Sequence, residues 1–323
     1  MSSLILALAT LSLWSVPDSS VPDSFSASLY SICAVGKNAA IAVGEAGMIV
    51  TTTDAGKTWN ADDTLSGVDA DLFSVSFPDE NHGFAVGRNG AYVVTTNGGK
   101  TWKRGKSPTK ETMVCVYFSS LSNGWIGGFN GLLMRTTNGG AKWQPVQSGT
   151  KSHLWTIDFP SKEIGLIAGS SGTILRTSDG GATWKTVDVG LQNFFYSLCF
   201  INPSTGWICG GYGSVLNTTD AGKSWNLLNL APETRVFRTG TYFYGIHFID
   251  ENSGIVIGST GTIDSTKNGG EHFETVASPT LEVLHSIAFA DKKNGWIVGG
   301  NGIILGTSDG GSHWELRKVR SRK

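Results

Sequence analysis

The sequence predicts an all-β protein, a seven-bladed β-propeller of four-stranded antiparallel blades, and three observations lead to this prediction. Seven segments of 31 residues align on a Trp (a Phe in the sixth) that follows an Asp/Asn-Gly turn. Successive segments start 43, 41, 41, 41, 48 and 41 residues apart, and a repeat of this length is typical of propeller blades. Glycine makes up 43 of the 323 residues, which suits many tight turns between short strands. The segments are residues 29–59, 72–102, 113–143, 154–184, 195–225, 243–273 and 284–314.

The fourth segment shows the internal pattern that all seven share. Residues 154–159 (LWTIDF) alternate as a β-strand does, and residues 166–169 and 173–177 predict two further short strands. A fourth strand is predicted over residues 182–187, and polar or glycine-rich turns separate the four. Four such strands in succession form one antiparallel sheet, so residues 1–323 are interpreted as a single propeller domain.

The N-terminus offers a way to close the ring of blades. Trp14–Pro17 resembles the start of a fourth strand, so we expect residues near 10–18 to join the last blade and cover its open edge. The last segment also carries a fourth strand of its own, predicted over Trp314–Val319. The apolar run Leu4–Leu13 is too short to span a bilayer. Two interpretations of this run stay open: a buried strand, or a signal-peptide core that lacks a basic start and a well-placed cleavage site.

Composition excludes several classes of protein. Lys and Arg number 25 against 26 Asp and Glu, a net charge of −1, so no nucleic-acid partner is expected. The four cysteines lack the paired C-x-x-C spacing of a zinc site, and we expect neither a metal nor a cofactor. Cys199 and Cys209 could face each other across a hairpin, but a disulfide between directly paired strands is usually strained, which favours free thiols.

The turn before each Trp repeats one pattern, Ser/Thr-x-Asp/Asn-x-Gly-x-Thr-Trp, with substitutions. In the fourth segment it consists of Thr177, Asp179, Gly181, Thr183 and Trp184. We interpret the Asp or Asn as an acceptor of backbone hydrogen bonds, the Gly as a left-handed residue and the Trp as packing between blades. Three of the seven turns carry Asn, so a structural role explains the pattern better than catalysis or calcium binding.

This motif resembles the Asp-box, or BNR, repeat of sialidases, two-propeller xyloglucanases, sortilin-type receptors and the photosystem II stability/assembly factor family. The predicted second strands add a Gly-Trp-Ile-x-Gly pattern at residues 124–127, 206–208 and 295–299, followed by a Gly-x-x-Gly hairpin and Thr-Thr/Ser-Asp/Asn-Gly-Gly. This fuller pattern is most similar to the photosystem II assembly factor family, and the similarity covers residues 14–319.

The resemblance implies a non-enzymatic scaffold that binds a membrane-protein complex or its assembly intermediate. It implies an extracytoplasmic location: the periplasm, the thylakoid lumen or the cell surface. It also implies arginines on the third strands, just before the Thr of the turn motif. Arginine occupies two of these seven positions, Arg135 and Arg176, and the others are Thr51, Val94, Asn217, Ser265 and Gly306.

Carbohydrate-binding or glycoside-hydrolase propellers, similar to sialidases or xyloglucanases, are the alternative class. A sialidase needs an arginine triad and an early Arg-Ile-Pro segment; this sequence has no such segment and no arginine before Arg88. Xyloglucanase-type hydrolysis needs two opposed carboxylates between two propellers, and this chain is long enough for one. Asp158 lies on a predicted inner strand, where a hydrogen-bonded structural role is the favoured interpretation. Exposed aromatics paired with carboxylates in one cleft would favour this class.

Irregular segments are better binding candidates than the uniform turns of a repeat. Arg88, Phe129 and Tyr212 differ from their counterparts in the turns between second and third strands, and such residues often anchor interfaces. A basic cluster over residues 103–110 is expected on the face of Arg88. The longest connection, Leu227–Tyr242, causes the 48-residue spacing. The predicted partner-binding residues are Arg88, Phe129, Tyr212, Arg235, Phe237, Arg238, Tyr242, Arg104, Arg135 and Arg176.

Together these features predict a monomeric propeller that binds a protein partner. The basic C-terminal residues 317–323 leave open a peripheral contact with acidic lipid headgroups at a membrane surface.

Overall fold

A computed structural model describes residues 25–228 and 240–321. These residues form seven antiparallel sheets of four strands each, with a fifth strand added to the first sheet. The first strands of successive sheets contact each other in a closed cycle, so they line a central channel. The predicted fold class, an all-β seven-bladed propeller, is confirmed.

Each blade pairs its strands in chain order from the channel outwards. The first strands are β1 (Leu29–Val35), β5 (Leu72–Ser76), β9 (Met113–Phe118), β13 (Leu154–Asp158), β17 (Phe195–Phe200), β21 (Phe243–Phe248) and β25 (Leu284–Phe289). The second strands are β2 (Ala39–Gly44), β6 (Gly83–Gly87), β10 (Gly124–Gly128), β14 (Gly165–Gly169), β18 (Gly206–Gly210), β22 (Gly254–Gly258) and β26 (Gly295–Gly299).

The third and fourth strands, in the outer half of each blade, are shorter than the first and second strands. The third strands are β3 (Ile49–Thr52), β7 (Tyr92–Thr95), β11 (Leu133–Thr136), β15 (Ile174–Thr177), β19 (Val215–Thr218), β23 (Ile263–Thr266) and β27 (Ile304–Thr307). The fourth strands are β4 (Trp59–Asp62), β8 (Lys103–Arg104), β12 (Gln144–Pro145), β16 (Lys185–Thr186), β20 (Asn226–Leu227), β24 (Glu274–Thr275) and β28 (Glu315–Leu316), and the additional strand is β29 (Val319–Ser321).

The core lies between neighbouring blades, and the contact of the third and fourth blades illustrates it. Trp125 of β10 stacks on Phe159, with ring centroids 3.9 Å apart, and Trp184 meets Phe159 edge-on at 5.8 Å. Glycines allow this close approach: a Cβ on Gly165 would lie 2.4 Å from Phe159, and one on Gly181 would lie 2.2 Å from Trp125 Nε1. The Trp that ends each segment therefore packs between blades, as the sequence predicts.

The seven Asp-box turns are held by one hydrogen-bond pattern. In the first blade, Asp54 Oδ1 accepts from the Thr58 N–H and Asp54 Oδ2 accepts from the Thr58 hydroxyl. The Gly56 N–H donates to Thr52 Oγ1 at 3.0 Å. The hydrogen bonds from Thr58 hold the pKa of Asp54 down to about 2. In the second blade Asn97 accepts the equivalent backbone N–H, so this role needs an acceptor and no charge.

The ring closes through the C-terminus. β29 pairs in parallel with β4, placing Val319 opposite Trp59 and Arg320 opposite Asn60. The fourth strand of the last blade is only Glu315–Leu316, so the prediction of one strand over Trp314–Val319 is wrong at its C-terminal end: Val319 belongs to the first blade. Trp14–Pro17 lies outside the described residues, and its role in the last blade stays a prediction.

Two further features concern membrane-spanning helices and the cysteines. Across residues 25–228 and 240–321, no helix is long and apolar enough to cross a membrane. All four cysteines are free thiols; Cys199 stands opposite Trp207 and Cys209 opposite Ser197, so these two thiols are not directly paired.

Candidate functional site

The two faces of the propeller carry different turns. One face carries the Asp-box turns. The other, which we call the collar face, carries the turns between second and third strands, at residues 45–47, 88–90, 129–131, 170–172, 211–213, 259–261 and 300–302. The connections between blades run beside these turns; a Cβ on Gly90 would meet the carbonyl oxygen of Thr109, for example. Irregular sequence is therefore concentrated on the collar face.

Every blade has a β-bulge at the second residue of its first strand. In the fourth blade Leu154 pairs with Gly169 and Thr156 with the adjacent Ala168, so no residue of β14 stands opposite Trp155. A bulge re-aims its extra side chain, and these seven line the mouth of the channel. The seven bulge residues are Tyr30, Phe73, Val114, Trp155, Tyr196, Tyr244 and His285.

Six of the seven bulge residues are aromatic, and their rings form a continuous arc that we call the aromatic collar. Neighbouring centroids lie 5.0–5.9 Å apart in the order Phe73, Tyr30, His285, Tyr244, Tyr196 and Trp155. The arc is interrupted only at Val114. All six side chains are half-buried, so their upper edges face solvent at the channel mouth.

Hydroxyl groups lie next to the collar on the channel wall. Ser31 Oγ accepts from the Val75 N–H at 3.3 Å, and Ser286 Oγ accepts from the Ile32 N–H at 3.2 Å. These two bonds join the first blade to the second and the seventh blade to the first across the channel wall. The channel cavity here has a volume of about 170 Å³, and its lining includes no lysine, arginine, aspartate or glutamate.

Burial shifts the protonation of the collar rings. Burial raises the pKa of Tyr196 to about 12, with smaller contributions from Tyr244, Tyr242 and Tyr212. Burial lowers the pKa of His285, so its ring is neutral at pH 7. The channel mouth is consequently an uncharged aromatic surface, and charges lie only on its rim.

Arg88 lies on this rim, as part of the second blade. Its Nε donates to Asp71 Oδ2 at 2.9 Å, and its Nη2 lies 2.8 Å from the same oxygen. Its guanidinium carbon stands 5.6 Å from the centroid of the Phe73 ring. Arg88 thus makes an ion pair and a cation–π contact with the collar while its side chain remains 55% exposed.

Three further residues predicted from the sequence extend the collar outwards. Phe129 packs on His153 at 4.5 Å and on Trp155 at 5.9 Å. Tyr212, which is 58% exposed, contacts Tyr242 at 5.8 Å. Tyr242 in turn lies 6.3 Å from Tyr244 of the collar. The structure therefore brings Arg88, Phe129, Tyr212 and Tyr242 together around one aromatic surface.

The other predicted arginines lie elsewhere. Arg104 is on β8, the outermost strand of its blade, opposite Val93. Arg135 packs over Trp125, and Arg176 Nε donates to the Ala221 carbonyl of the next Asp-box turn at 2.8 Å. These two third-strand arginines point away from the collar. Arg235, Phe237 and Arg238 lie outside the described residues, and their binding role stays a prediction.

Asp158 lies at the end of β13 that is remote from the collar. Its Oδ1 accepts from the Phe159 N–H at 2.8 Å and its Oδ2 from the Phe200 N–H at 3.3 Å, across the boundary of two blades. Burial raises its pKa to about 6, although these hydrogen bonds oppose the shift. The carboxyl is thus a structural acceptor, in line with the sequence-based interpretation.

The Asp158 carboxyl predicts a pH dependence of stability. Its folded pKa exceeds the unfolded value, so its contribution is complete below about pH 4 and is lost as pH rises through 6. We expect wild type to lose about 2–3 kcal/mol relative to Asp158→Asn between pH 4 and pH 7, by urea unfolding. The Asp-box carboxylates titrate below this window. A constant difference between the two proteins over this range would contradict the role of burial.

Side chains for a metal site or for glycoside hydrolysis were sought in the described part of the chain. No group of three or more His, Cys, Asp or Glu side chains there could hold a metal ion. The carboxylate pair that hydrolysis of a glycosidic bond needs is not found among the residues that line the channel.

Comparison with known proteins agrees with the fold and the repeat. The sequence model described as photosynthesis system II assembly factor YCF48 matches residues 65–151, 141–236 and 268–323, more than half of the chain. The chain belongs to this family. No curated protein matches the sequence. The YCF48 family assignment agrees with the resemblance that the turn and second-strand motifs predicted.

Solved structures with the same fold include members of this family. A structure of YCF48 bound to D1 peptide has a TM-score of 0.73 at 18% identity, over 88% of this chain and 92% of that one. YCF48 from Cyanidioschyzon merolae has a TM-score of 0.71 at 18% identity, over 90% and 97%. A GH74 xyloglucanase from Xanthomonas campestris has a TM-score of 0.73 at 12% identity, over 92% of this chain and 55% of that one. At such identities these likenesses concern the fold alone.

Proposed function

We propose that the protein is a non-enzymatic protein-binding scaffold, which binds a membrane-protein complex or an intermediate of its assembly through the collar face. The observation that carries this proposal is the aromatic collar, which Phe129, Tyr212 and Tyr242 extend outwards. Tyrosine and tryptophan rings offer a large contact area at low entropic cost, and aromatic residues and arginine are enriched at interfaces. Membership of the assembly factor family supports the same role.

The size of the collar favours an extended segment as the bound element. Six aromatic rings with neighbouring centroids 5.0–5.9 Å apart, together with Val114 at the seventh position, surround an opening narrower than the roughly 10–12 Å of an α-helix with its side chains. The YCF48 structure that contains a D1 peptide supports a peptide segment as the form of the ligand. An extracytoplasmic location, in a periplasm, a thylakoid lumen or at a cell surface, fits this proposal.

Binding of peptides that tile the D1 sequence, and of detergent-solubilised membrane complexes, tests the proposal. We expect the double variant Tyr196→Ala, Tyr244→Ala to bind at least about tenfold more weakly than wild type, because aromatic anchors dominate interface energies. Leu121→Ala is the matched control, since Leu121 is 50% exposed on the Asp-box side. Biolayer interferometry gives the dissociation constants. Equal binding by the double variant, or an effect of similar size in the control, would place the interface elsewhere.

Glycan binding is a second candidate, because exposed aromatic rings also stack on sugars. A glycan site pairs such rings with carboxylates in one cleft, and the channel lining includes none. Xyloglucan oligosaccharides in the same binding assay distinguish the two candidates: saturable binding that the Tyr196→Ala, Tyr244→Ala variant loses would favour the glycan.

A further inference from the structure

The second blade shows how the collar holds a cation. The first residue of its turn, Arg88, supplies the guanidinium. The residue before β5, Asp71, supplies the carboxylate, and Phe73 of the collar supplies the ring. A guanidinium between a carboxylate and an aromatic ring gains from a charge-assisted hydrogen bond and from the cation–π interaction together.

The seventh blade has the carboxylate and the ring of this arrangement without the cation. Gly300 occupies the place of Arg88: its N–H donates to the Val283 carbonyl at 2.8 Å, as the Arg88 N–H donates to the Asp71 carbonyl at 2.9 Å. The collar ring of this blade is His285. The carboxylate comes from Glu282, one residue earlier than the Asp71 position and on a longer side chain.

The Glu282 carboxylate reaches over the turn. Its Oε2 lies 3.5 Å from the point where a Cβ on Gly300 would stand. Over residues 25–228 and 240–321, this carboxylate makes no ion pair and no hydrogen bond, whereas that of Asp71 makes both. Within the described residues, the seventh blade therefore has an acceptor beside this turn and no side-chain cation of its own that pairs with it.

The surroundings of this position also favour a cation. His285 is the collar ring of this blade, in the place that Phe73 takes beside Arg88, and its neighbours in the collar are Tyr30 at 5.5 Å and Tyr244 at 5.9 Å. Burial raises the pKa of Tyr30, and the negative charges of Asp71 and Glu45 raise it further, against the opposing charge of Arg88. Among the described residues, no lysine or arginine lines the channel mouth.

We propose that the space beside Gly300 is a binding site for an arginine side chain of the protein partner. The guanidinium bonds Glu282 and lies against the rings of His285 and Tyr30. This inference rests on the protein-binding function proposed above and names the chemistry of one of its contacts. Arginine suits the site better than lysine, because its planar fork can donate two hydrogen bonds to a carboxylate while it stacks on a ring.

Substitution at Gly300 can fill the site from within the chain. Gly300 does not have a positive φ, and an added Cβ meets nothing nearer than 3.5 Å, so a side chain fits there without strain. Gly300→Arg should place its own guanidinium on Glu282, as Arg88 does on Asp71. Gly300→Ala is the matched control, since it adds the Cβ and leaves the site open. Glu282→Gln removes the charge and keeps the shape.

N-acetyl-arginine amide is the probe, titrated into the full-length protein while the NMR signals of the His285 ring are followed. We expect saturable shifts in wild type and Gly300→Ala, and at least about tenfold weaker binding in Gly300→Arg and Glu282→Gln. N-acetyl-citrulline amide, which has nearly the same shape without the charge, should not bind. Equal binding of the citrulline compound, no binding of the arginine compound to wild type, or no effect of Glu282→Gln would overturn the inference.

The same variants separate this inference from the proposed function. Any peptide or complex that binds wild type in the assay above is tested against Gly300→Arg and Gly300→Ala. Weaker binding by Gly300→Arg alone supports the arginine site. Unchanged binding by both variants overturns the site and leaves the scaffold function in place. If no protein ligand binds wild type, the scaffold function fails, and the arginine titration still decides whether the site binds a guanidinium.

Discussion

Replacement of Trp184 by alanine is expected to lower the free energy of unfolding by about 3–5 kcal/mol. Trp184 is only 9% exposed and packs edge-on against Phe159 at 5.8 Å, where the cores of the third and fourth blades meet. The two blades are separate sheets held in a closed ring, so they cannot move together to fill the cavity that the indole leaves. Urea unfolding at 25 °C measures the loss.

Two further variants provide stability losses with which that of Trp184→Ala can be compared. Trp155→Ala removes the same side chain from the same blade, but at the half-buried collar position, so a smaller loss is expected. Phe273→Ala removes the residue that takes the place of the Trp in the sixth segment, where it is 3% exposed; its smaller ring should cost somewhat less than Trp184. A Trp184→Ala protein that melts within a degree of wild type would show that packing between blades does not depend on this ring.

The fold could be predicted because each blade repeats the same local signals. A glycine begins six of the seven second strands, an aromatic residue ends the segment, and the turn between them needs Asp or Asn with left-handed glycines. Each of these signals acts within about 30 residues, and the repeat multiplies it seven times. Closure of the ring depends on residues far apart in sequence: the sequence predicts Val319 in the last blade and Arg320 in a basic tail, whereas both lie in β29 beside β4 of the first blade.

The aromatic collar was missed for a different reason. Tyr30, Trp155 and Tyr244 look like ordinary members of alternating strands, and in an unbroken strand their side chains would point from a face of the sheet at a neighbouring blade. The β-bulge in each blade turns these side chains towards the channel, and no turn residue in the sequence marks a bulge of this kind. An alignment of the seven segments could have revealed them, because the second residue of the first strand is aromatic in six of the seven.

The third-strand arginines have a place in the structure that their position in the sequence does not reveal. Arg135 packs over Trp125 and Arg176 donates to the Ala221 carbonyl of a neighbouring turn, and their role in partner binding stays a prediction. Arg88, chosen because its turn varies between blades, lies on the collar rim instead. The direction of a side chain from a blade depends on its strand and register, which sequence position alone does not reveal.

A chain that ends at Lys318 should be less stable than wild type by about 2–4 kcal/mol, because it lacks β29. The loss combines partial burial of Val319, which packs on the core of the first and last blades, with the hydrogen bonds of a short parallel ladder. Urea unfolding of the two chains measures it. The control is the full-length variant Arg320→Gln, Arg322→Gln, Lys323→Gln, which removes the same three side-chain charges as the truncation and keeps the strand.

The truncated chain should also associate with itself, because β4 would then be an open edge. β4 has four residues, whereas the other fourth strands have two, so it presents the longest outer edge of any blade. An unpaired edge of this length is a template for pairing with another chain, and β29 covers it in the intact protein. Size-exclusion chromatography should show dimers or larger species for the truncated chain and a single monomer peak for the charge control. If the truncated chain stays monomeric and as stable as wild type, β29 is not needed to close the ring, and the packing of the first blade on the last blade is sufficient.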